Sequence, residues 1–348
     1  MLNYLTRKII YGALVMAGVV VVVFFLFQGF GDPTRLVMGQ TADAATQQNI
    51  RRELNLDQPK WKQFLTYLND VSPIAVHTDE EIAQKKLQGI FIGGETNLAI
   101  KVPYLRRSYQ SRREVWDVLI EALPGTILLA AAAMLIAVVL GIPLGVLAAV
   151  KRDTWMDSSS IFASVLGISA PSFFMGIVIA YLFGFVLSDY TGLRMTGSLF
   201  DTDPFTGRQV QLSNLVLPAL TLGIRPLAII TQLTRSAMLD VLNQDYIRTA
   251  YAKGLRGRVV IWKHALKNAL NPVITAITGW FAELLAGAFF VEYIFGWKGI
   301  GKVTVDALEN LDFPVVMGSV LISSFFFIVI NILADVVYGI IDPRIRKS

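Results

Sequence analysis

Six runs of this sequence carry almost no charge, and their lengths limit what the chain can become. Ile9 to Gly31 gives 23 uncharged residues, Ala122 to Val150 gives 29, Ser158 to Ser188 gives 31 and Phe313 to Ala334 gives 22. Leu212 to Thr234 is uncharged except for Arg225, and Asn268 to Gly296 is interrupted by Glu283 and Glu292. About 20 residues of helix are needed to cross about 30 Å of hydrocarbon. Inside a bilayer no water satisfies a free amide or carbonyl, so each run is expected to be a helix. Composition agrees: 16% of residues are charged, against about a quarter in soluble domains. The expected fold class is an all-α membrane protein with six transmembrane helices. The first run is longer than a signal-peptide core and is followed by "FGDPTR" rather than a small-residue cleavage site, so it is expected to stay as a span.

Six spans place both termini on one side, and Lys and Arg in short loops mark the cytoplasm. Arg7 and Lys8 precede the first span, Lys151 and Arg152 lie between the second and third, and Arg344, Arg346 and Lys347 end the chain. Between spans four and five lie Arg235, Arg248, Lys253, Arg256, Arg258, Lys263 and Lys267, against Asp240 and Asp245. The opposite loops, Asp189 to Gln211 and Trp297 to Asp312, hold two basic residues each. Both termini are therefore expected in the cytoplasm. Asp32 to Glu121 balances 12 basic with 12 acidic residues and is long enough to translocate regardless of charge. It is expected to be a small extracytoplasmic segment. Helical periodicity runs through Ile50 and Leu54, then Trp61, Phe64, Leu65 and Leu68, broken at Pro59; no motif follows to about Leu105.

The candidate chemistry is sparse. Without cysteine there is no disulfide, thiolate nucleophile or cysteine-ligated metal. His77 and His264 each lack a partner at ligand spacing and are expected to be solvated or interfacial. "GWKGIGKV", Gly296 to Val303, fits G-x-x-x-x-G-K, but Val303 stands where a magnesium-ligating Ser or Thr belongs, and the expected topology puts it outside the cytoplasm. A re-entrant turn or amphipathic loop is the expected reading. No catalytic, metal or cofactor site is expected; if such a membrane chain transports a solute and this requires energy, the energy must come from an ion gradient or another subunit.

Charges inside spans are costly and usually face a cavity or a partner. Arg225 lies 13 residues after Leu212 and 10 before Arg235, while Glu283 lies 16 after Lys267 and 15 before Lys298. Their depths match, so they are expected to form an interhelical ion pair that either fixes packing or lines a permeation path. Pro143, Pro171, Pro218 and Pro226 are candidate kinks, and Gly141 with Gly145 permits close helix approach.

The stretch "DYIRTAYAKGLRGRVVIWKHALKNALNPVI", Asp245 to Ile274, is the most unusual loop. Asp245 to Lys253 is expected to be a short helix with Ile247, Ala250, Tyr251 and Gly254 on one face, ended by Gly254 in a left-handed conformation. Val259 to Leu270 is expected to be a second helix, stopped before Pro272. Basic residues here can bind anionic lipid headgroups. The small residues Thr249, Ala250 and Gly254 suit close packing against a protein.

"RTAYAKG" followed by "HALKNALNPVI" resembles the cytoplasmic EAA loop of bacterial ABC importer permeases. The spacing from Gly254 to Pro272 resembles the branch carrying dipeptides, oligopeptides and nickel. Further segments agree: "GDP" (Gly31 to Pro33), Glu53 to Leu68, "LPGTILLAAAAMLIAVVLGIPLGVLAAVKR", "LVLPALTLG", "FVEYIFGWKGIGKVTVDAL", "DFPVVMG" and "YGIIDPRIR". The resemblance implies a six-helix permease of a type I importer, with no ATPase activity of its own. It implies a second permease subunit, two cytoplasmic ATP-binding subunits and an extracytoplasmic substrate-binding protein as partners, besides membrane lipid, and no nucleic acid. Carried over by position, the ATPase-docking residues are Arg248, Thr249, Ala250 and Gly254, with Lys253 and Leu255 beside them.

The chain departs from the motif at Arg248, where an acid is usual, and at Tyr251, where Arg is usual. Arg225 and Glu283 occupy positions expected to be apolar or small, and about Val71 to Pro103 resembles an insertion. The expected organisation is an N-terminal transmembrane helix (1–31), an extracytoplasmic segment (32–115), a five-helix permease core (116–341) with its docking loop (237–270), and a cytoplasmic tail (342–348). The expected function is import of peptides or related solutes such as nickel complexes through the bacterial inner membrane. The alternative is an ion-coupled secondary transporter using Arg225 and Glu283, against which the absence of an inverted repeat speaks. A membrane scaffold whose basic loop binds lipid or a regulatory protein is a second alternative.

Overall fold

The computed structural model describes residues 2–28, 57–203 and 207–341. The "GDP" segment, the first half of the periodic stretch at Ile50 and Leu54, and the tail with Arg344, Arg346 and Lys347 lie outside the described residues.

The apolar runs form helices. α1 (Leu2–Gln28) is followed by α2 (Lys60–Val71), β1 (Ile74–Thr78), α3 (Asp79–Lys85), β2 (Gly89–Gly93) and β3 (Thr96–Lys101). Next come α4 (Val115–Val150), α5 (Trp155–Ser169), α6 (Ser172–Tyr181) with a π-helical extension Leu182–Val186, α7 (Ser188–Thr191) and the hairpin β4 (Phe200–Asp203) and β5 (Gly207–Val210). The remainder is α8 (Ser213–Leu242), α9 (Asp245–Ala252), α10 (Gly257–Val259) with a π-helical turn Val260–Ala265, α11 (Leu266–Gly287), α12 (Phe289–Phe295), α13 (Ile300–Glu309) and α14 (Phe313–Ile341).

Among the described residues, four helices are long and apolar enough to span a membrane, and six spans result if two bent pairs each count as one. Both bends depart from the single helices expected from the sequence. At the first, Trp155–Ser169 and Ser172–Val186 meet at 108°. Pro171 brings no N–H for the carbonyl four residues back, and Ala170 before it is extended (φ −75°, ψ 129°), so the helix cannot continue. The second separates Gly257–Leu285 from Phe289–Phe295 by 59°. Pro143, Pro218, Pro226 and Pro272 all lie inside continuous helices.

The chain divides into two compact units, Met1–Ile9 with Leu123–Lys302 and Phe326–Ser348, and Ile10–Ala122 with Val303–Phe325. In the first unit, Leu129, Ala130, Ala133 and Ala137 of α4 pack with Leu217, Leu222 and Ile230 of α8, all buried. The predicted close approach at Gly145 is present. A Cβ there would lie 2.6 Å from the Thr231 carbonyl oxygen and 2.6 Å from Thr234 Cβ, inside van der Waals contact.

The second unit contains an antiparallel sheet in the order β1-β3-β2, where the sequence offered no motif. Its register pairs Ile74 with Ile100, Val76 with Leu98, Ile90 with Ile100 and Ile92 with Leu98. These six aliphatic side chains share one exposed face, while Ala75, His77, Asn97, Ala99 and Lys101 are buried. Buried Asp70 accepts from Lys85 Nζ (2.6 Å) and Arg106 Nη2 (3.4 Å), and its carbonyl accepts from Lys101 Nζ at 2.5 Å. Burial pushes the Lys101 ammonium down to about 8, opposed by Asp70 and aided by Lys85. His77, expected to be solvated or interfacial, is 1% exposed with Nδ1 3.0 Å from Glu81 Oε2. The inward pleat of β1 takes the ring below the sheet.

Candidate functional site

Two places in the first unit gather unusual residues: the turn after α9, and the break between α5 and α6.

α9 is amphipathic, and its apolar side is spent within the chain. Ile247 and Ala250 are buried with Val146, Ala149, Met238, Val260, Ala265, Leu266 and Ala269. Asn268 Nδ2 donates to Tyr246 Oη at 2.9 Å, tying α9 to α11. The helix ends as expected. Gly254 has φ +77°, its N–H donates to Tyr251 O (2.9 Å), and Leu255 N–H reaches back to Ala250 O (3.3 Å). That pair of bonds closes a Schellman turn, whose left-handed residue Gly adopts at low cost.

Arg248, Thr249, Lys253, Gly254 and Leu255 are exposed on this knob, as is Tyr251, whereas Ala250 points inward. Ala250, carried over by position as a docking residue, is thus buried under the knob rather than on its open surface. At i+3 from Ile247 it shares the buried face, and the same spacing had placed the two together. Nothing lies within 4 Å of a Cβ built at Gly254, so its glycine is explained by the dihedral angle, and the surface around it is open.

The second expected helix does not stop before Pro272. Helical backbone runs from Gly257 to Leu285, through the π-helical turn and past Pro272. Losing one backbone bond costs less at membrane depth than ending a helix and orphaning several groups at once.

Two charged clusters that the sequence reading missed hold this unit together. Asp157 at the start of α5, almost fully buried, accepts from Arg235 Nε at 2.5 Å and Nη2 at 2.7 Å, and from Asp153 N at 3.1 Å. This bidentate pair joins α5 to α8. Fully buried Glu292 of α12 accepts from Thr126 Oγ1 of α4 (2.7 Å) and from Lys302 N (3.1 Å), while Thr126 Oγ1 accepts from Ile300 N (2.9 Å). The side chain thus satisfies first amides of α13, which have no intrahelical acceptor. That places the "GWKGIGKV" segment as a buried turn plus helix start, with Trp297 Nε1 donating to Gly125 O at 2.9 Å. Opposite charges at the ends of neighbouring runs were the available signal for Asp157 and Arg235.

At the α5–α6 break, the chain turns around a cavity of about 320 Å³. Ser169, Ala170, Pro171 and Ser172 line it, as do Arg225, Trp280 and Glu283. Arg225 Nη1 stands 4.0 Å from Glu283 Oε1, and the guanidinium lies over the Trp280 ring, 5.2 Å from its centroid. The side chains of Arg225 and Glu283 are 54% and 55% exposed. Charged groups in apolar helices do not face lipid bare, so this face is turned to protein or water.

The sequence matches the binding-protein-dependent transport system inner membrane component family over residues 141–347, and the N-terminal counterpart of that component over residues 1–130. The chain is 35% identical to the dipeptide transport system permease protein DppB of Escherichia coli strain K12, with both chains covered completely. It is 35% identical to the di/tripeptide transport system permease protein DppB of Pseudomonas aeruginosa strain UCBPP-PA14, again over 100% of each. Identity to the glutathione transport system permease protein GsiC of E. coli K12 is 35%, covering 99% of each chain. Together with its apolar helices, these matches make it a multi-pass inner-membrane permease of the ABC importer type. The chain belongs to the binding-protein-dependent transport system inner membrane component family.

Proposed function

We propose that this chain forms half of the membrane path of an ATP-driven importer for short peptides, coupled to separate ATPase subunits through the α9 knob. The supporting observation is that a short helix fixed by Ile247 and Ala250 presents Arg248, Thr249, Lys253 and Leu255 to solvent around an open left-handed turn. A rigid, small, basic projection suits a cleft on a partner better than a lipid surface, which needs no defined shape. Three similar permeases are named for dipeptides, di- and tripeptides and glutathione, all short peptides. Both termini and the knob lie in the cytoplasm on this reading, and residues 57–115 lie outside. The partners are a second permease, two ATP-binding subunits and a substrate-binding protein. Closing of the ATPase pair draws the knobs together and rocks the bundles between outward-open and inward-open states, a coupling between distant sites.

The test is the paired charge reversal R248E/K253E, read by recovery of the ATP-binding subunits on purified permease and by ATP-driven uptake of alanyl-alanine into proteoliposomes. Both are expected to fall together, because a like-charge mismatch costs several kcal/mol at an interface. Unchanged recovery and uptake refute the docking role. Uptake that needs no ATP and collapses with an uncoupler selects ion-coupled transport instead.

A further inference from the structure

We propose that Arg225, Glu283 and Trp280, at the α5–α6 break, form an intramembrane subsite that takes the two charged ends of a short zwitterionic peptide. The proposal rests on the permease reading above and adds a ligand-contacting site to it.

Three observations converge on one cavity. The first is the ion pair itself. At 4.0 Å, Arg225 Nη1 and Glu283 Oε1 are too far apart for a hydrogen bond, although both sit on long helices that could bring them closer. A bidentate pair such as Asp157–Arg235 shows what a purely structural contact in this chain looks like, at 2.5 and 2.7 Å with the acid buried. The Arg225–Glu283 pair is loose and open, and among the described residues most donors and acceptors of each group have no other partner and are available to another molecule.

The second is Trp280. Its ring lies under the guanidinium at 5.2 Å, which positions Arg225 without consuming its N–H donors. The third is the break. The last carbonyls of α5 and the first amides of α6 have no intrahelical partners, because the helix stops at Ala170 and restarts at Ser172. Non-helical backbone is tolerated at membrane depth where it lines a protein or water-filled cavity, and residues 169–172 line this one.

A cation and an anion held side by side in one cavity neutralise each other when it is empty, and bind a solute only by exchanging partners with it. A solute with one charge leaves the other side chain uncompensated. One carrying both an ammonium and a carboxylate satisfies both, with Arg225 taking the carboxylate and Glu283 the ammonium. The cavity of about 320 Å³ lies at the lower end of the range for small-molecule sites. Two free termini a residue or two apart match that size and charge pattern. Binding must be weak for the solute to leave again, with half-saturation on the order of millimolar.

The test uses the assembled permease–ATPase complex in nanodiscs, without the binding protein, and saturation-transfer NMR with alanyl-alanine as the probe. Saturable binding is expected, with competition by unlabelled alanyl-alanine and none by N-acetyl-alanyl-alanine amide. R225Q/E283Q is expected to weaken it by roughly tenfold or more, the loss of one to two charge-assisted hydrogen bonds. Should that variant not assemble, W280L and E283D, which keep both charges, are expected to weaken binding while still rejecting the blocked peptide. Equal competition by the blocked peptide, or equal binding to the variants, overturns the site and leaves a packing contact only. Absence of ATP-driven uptake by the wild-type complex supplied with its binding protein overturns the permease reading itself, which separates the two failures.

Discussion

Replacing Asp157 with alanine isolates a contact that spans 78 residues of sequence. Its carboxylate is 4% exposed, accepts both Arg235 N–H groups and caps the Asp153 amide. Removing one member of a buried pair costs about 3–5 kcal/mol, because the remaining charge is left without its partner. In D157A the survivor is Arg235, 23% exposed, so water recovers part of the loss and the lower figure, about 3 kcal/mol, applies. In R235A the survivor is the more deeply buried carboxylate, and about 4 kcal/mol is expected. D157A/R235A leaves no stranded charge and is expected to cost less than either single change, in place of the sum of about 7 kcal/mol, so the two substitutions are strongly coupled. The assay is unfolding of the purified chain in mixed micelles against increasing dodecyl sulfate, followed by circular dichroism for all four proteins. A coupling below about 0.5 kcal/mol, the limit for independent sites, refutes the clamp.

Two further outcomes follow from the turn and from the sheet. G254A is expected to cost about 1 kcal/mol through its left-handed backbone, with no steric addition since nothing lies within 4 Å, giving roughly fivefold faster amide exchange at Leu255. Lys101 has a folded-state value of about 8 against 10.5, so the unfolded chain binds more protons between those values and stability of the sheet rises with pH across that window. Thermal melts from pH 8 to 10.5 check it; K101M is expected to flatten the rise, and a rise that persists in K101M assigns it to another group.

Much of this architecture was legible because hydrocarbon imposes length and leaves little choice of secondary structure. The runs around α1, α4, α8 and α14 are helices, Gly145 approaches α8 closely, and Gly254 takes the left-handed turn. Pro171 was not separable from Pro143, Pro218 or Pro226 in sequence, because a transmembrane helix absorbs one missing N–H wherever neighbours cover it. Pro272 misled in the other direction for the same reason. The sheet stayed hidden because its pattern is inverted. β1 and β3 bury His77, Asn97 and Lys101 and expose Ile74, Val76, Leu98 and Ile100, so alternation points to the wrong face. Of the face expected for α9, Ile247 and Ala250 turn inward, while Tyr251 and Gly254 are exposed. Depth along the chain made Arg225 and Glu283 neighbours on paper, whereas the cavity beside them depends on the break at Pro171, which charge positions do not encode.

The unbroken backbone through Pro272 has a mechanical consequence. Gly257, three residues past Gly254, and Glu283, at the intramembrane pair, are carried by one helical rod. At about 1.5 Å per residue the two stand about 39 Å apart, so swinging the Gly257 end through about 10° about a pivot near Glu283 moves it by about 7 Å. The same swing about a mid-rod pivot divides that travel between the ends. On the docking reading, with no break in the helix at Pro272, force delivered beside the knob reaches the Arg225–Glu283 pair as tilt, with a stroke set by rod length.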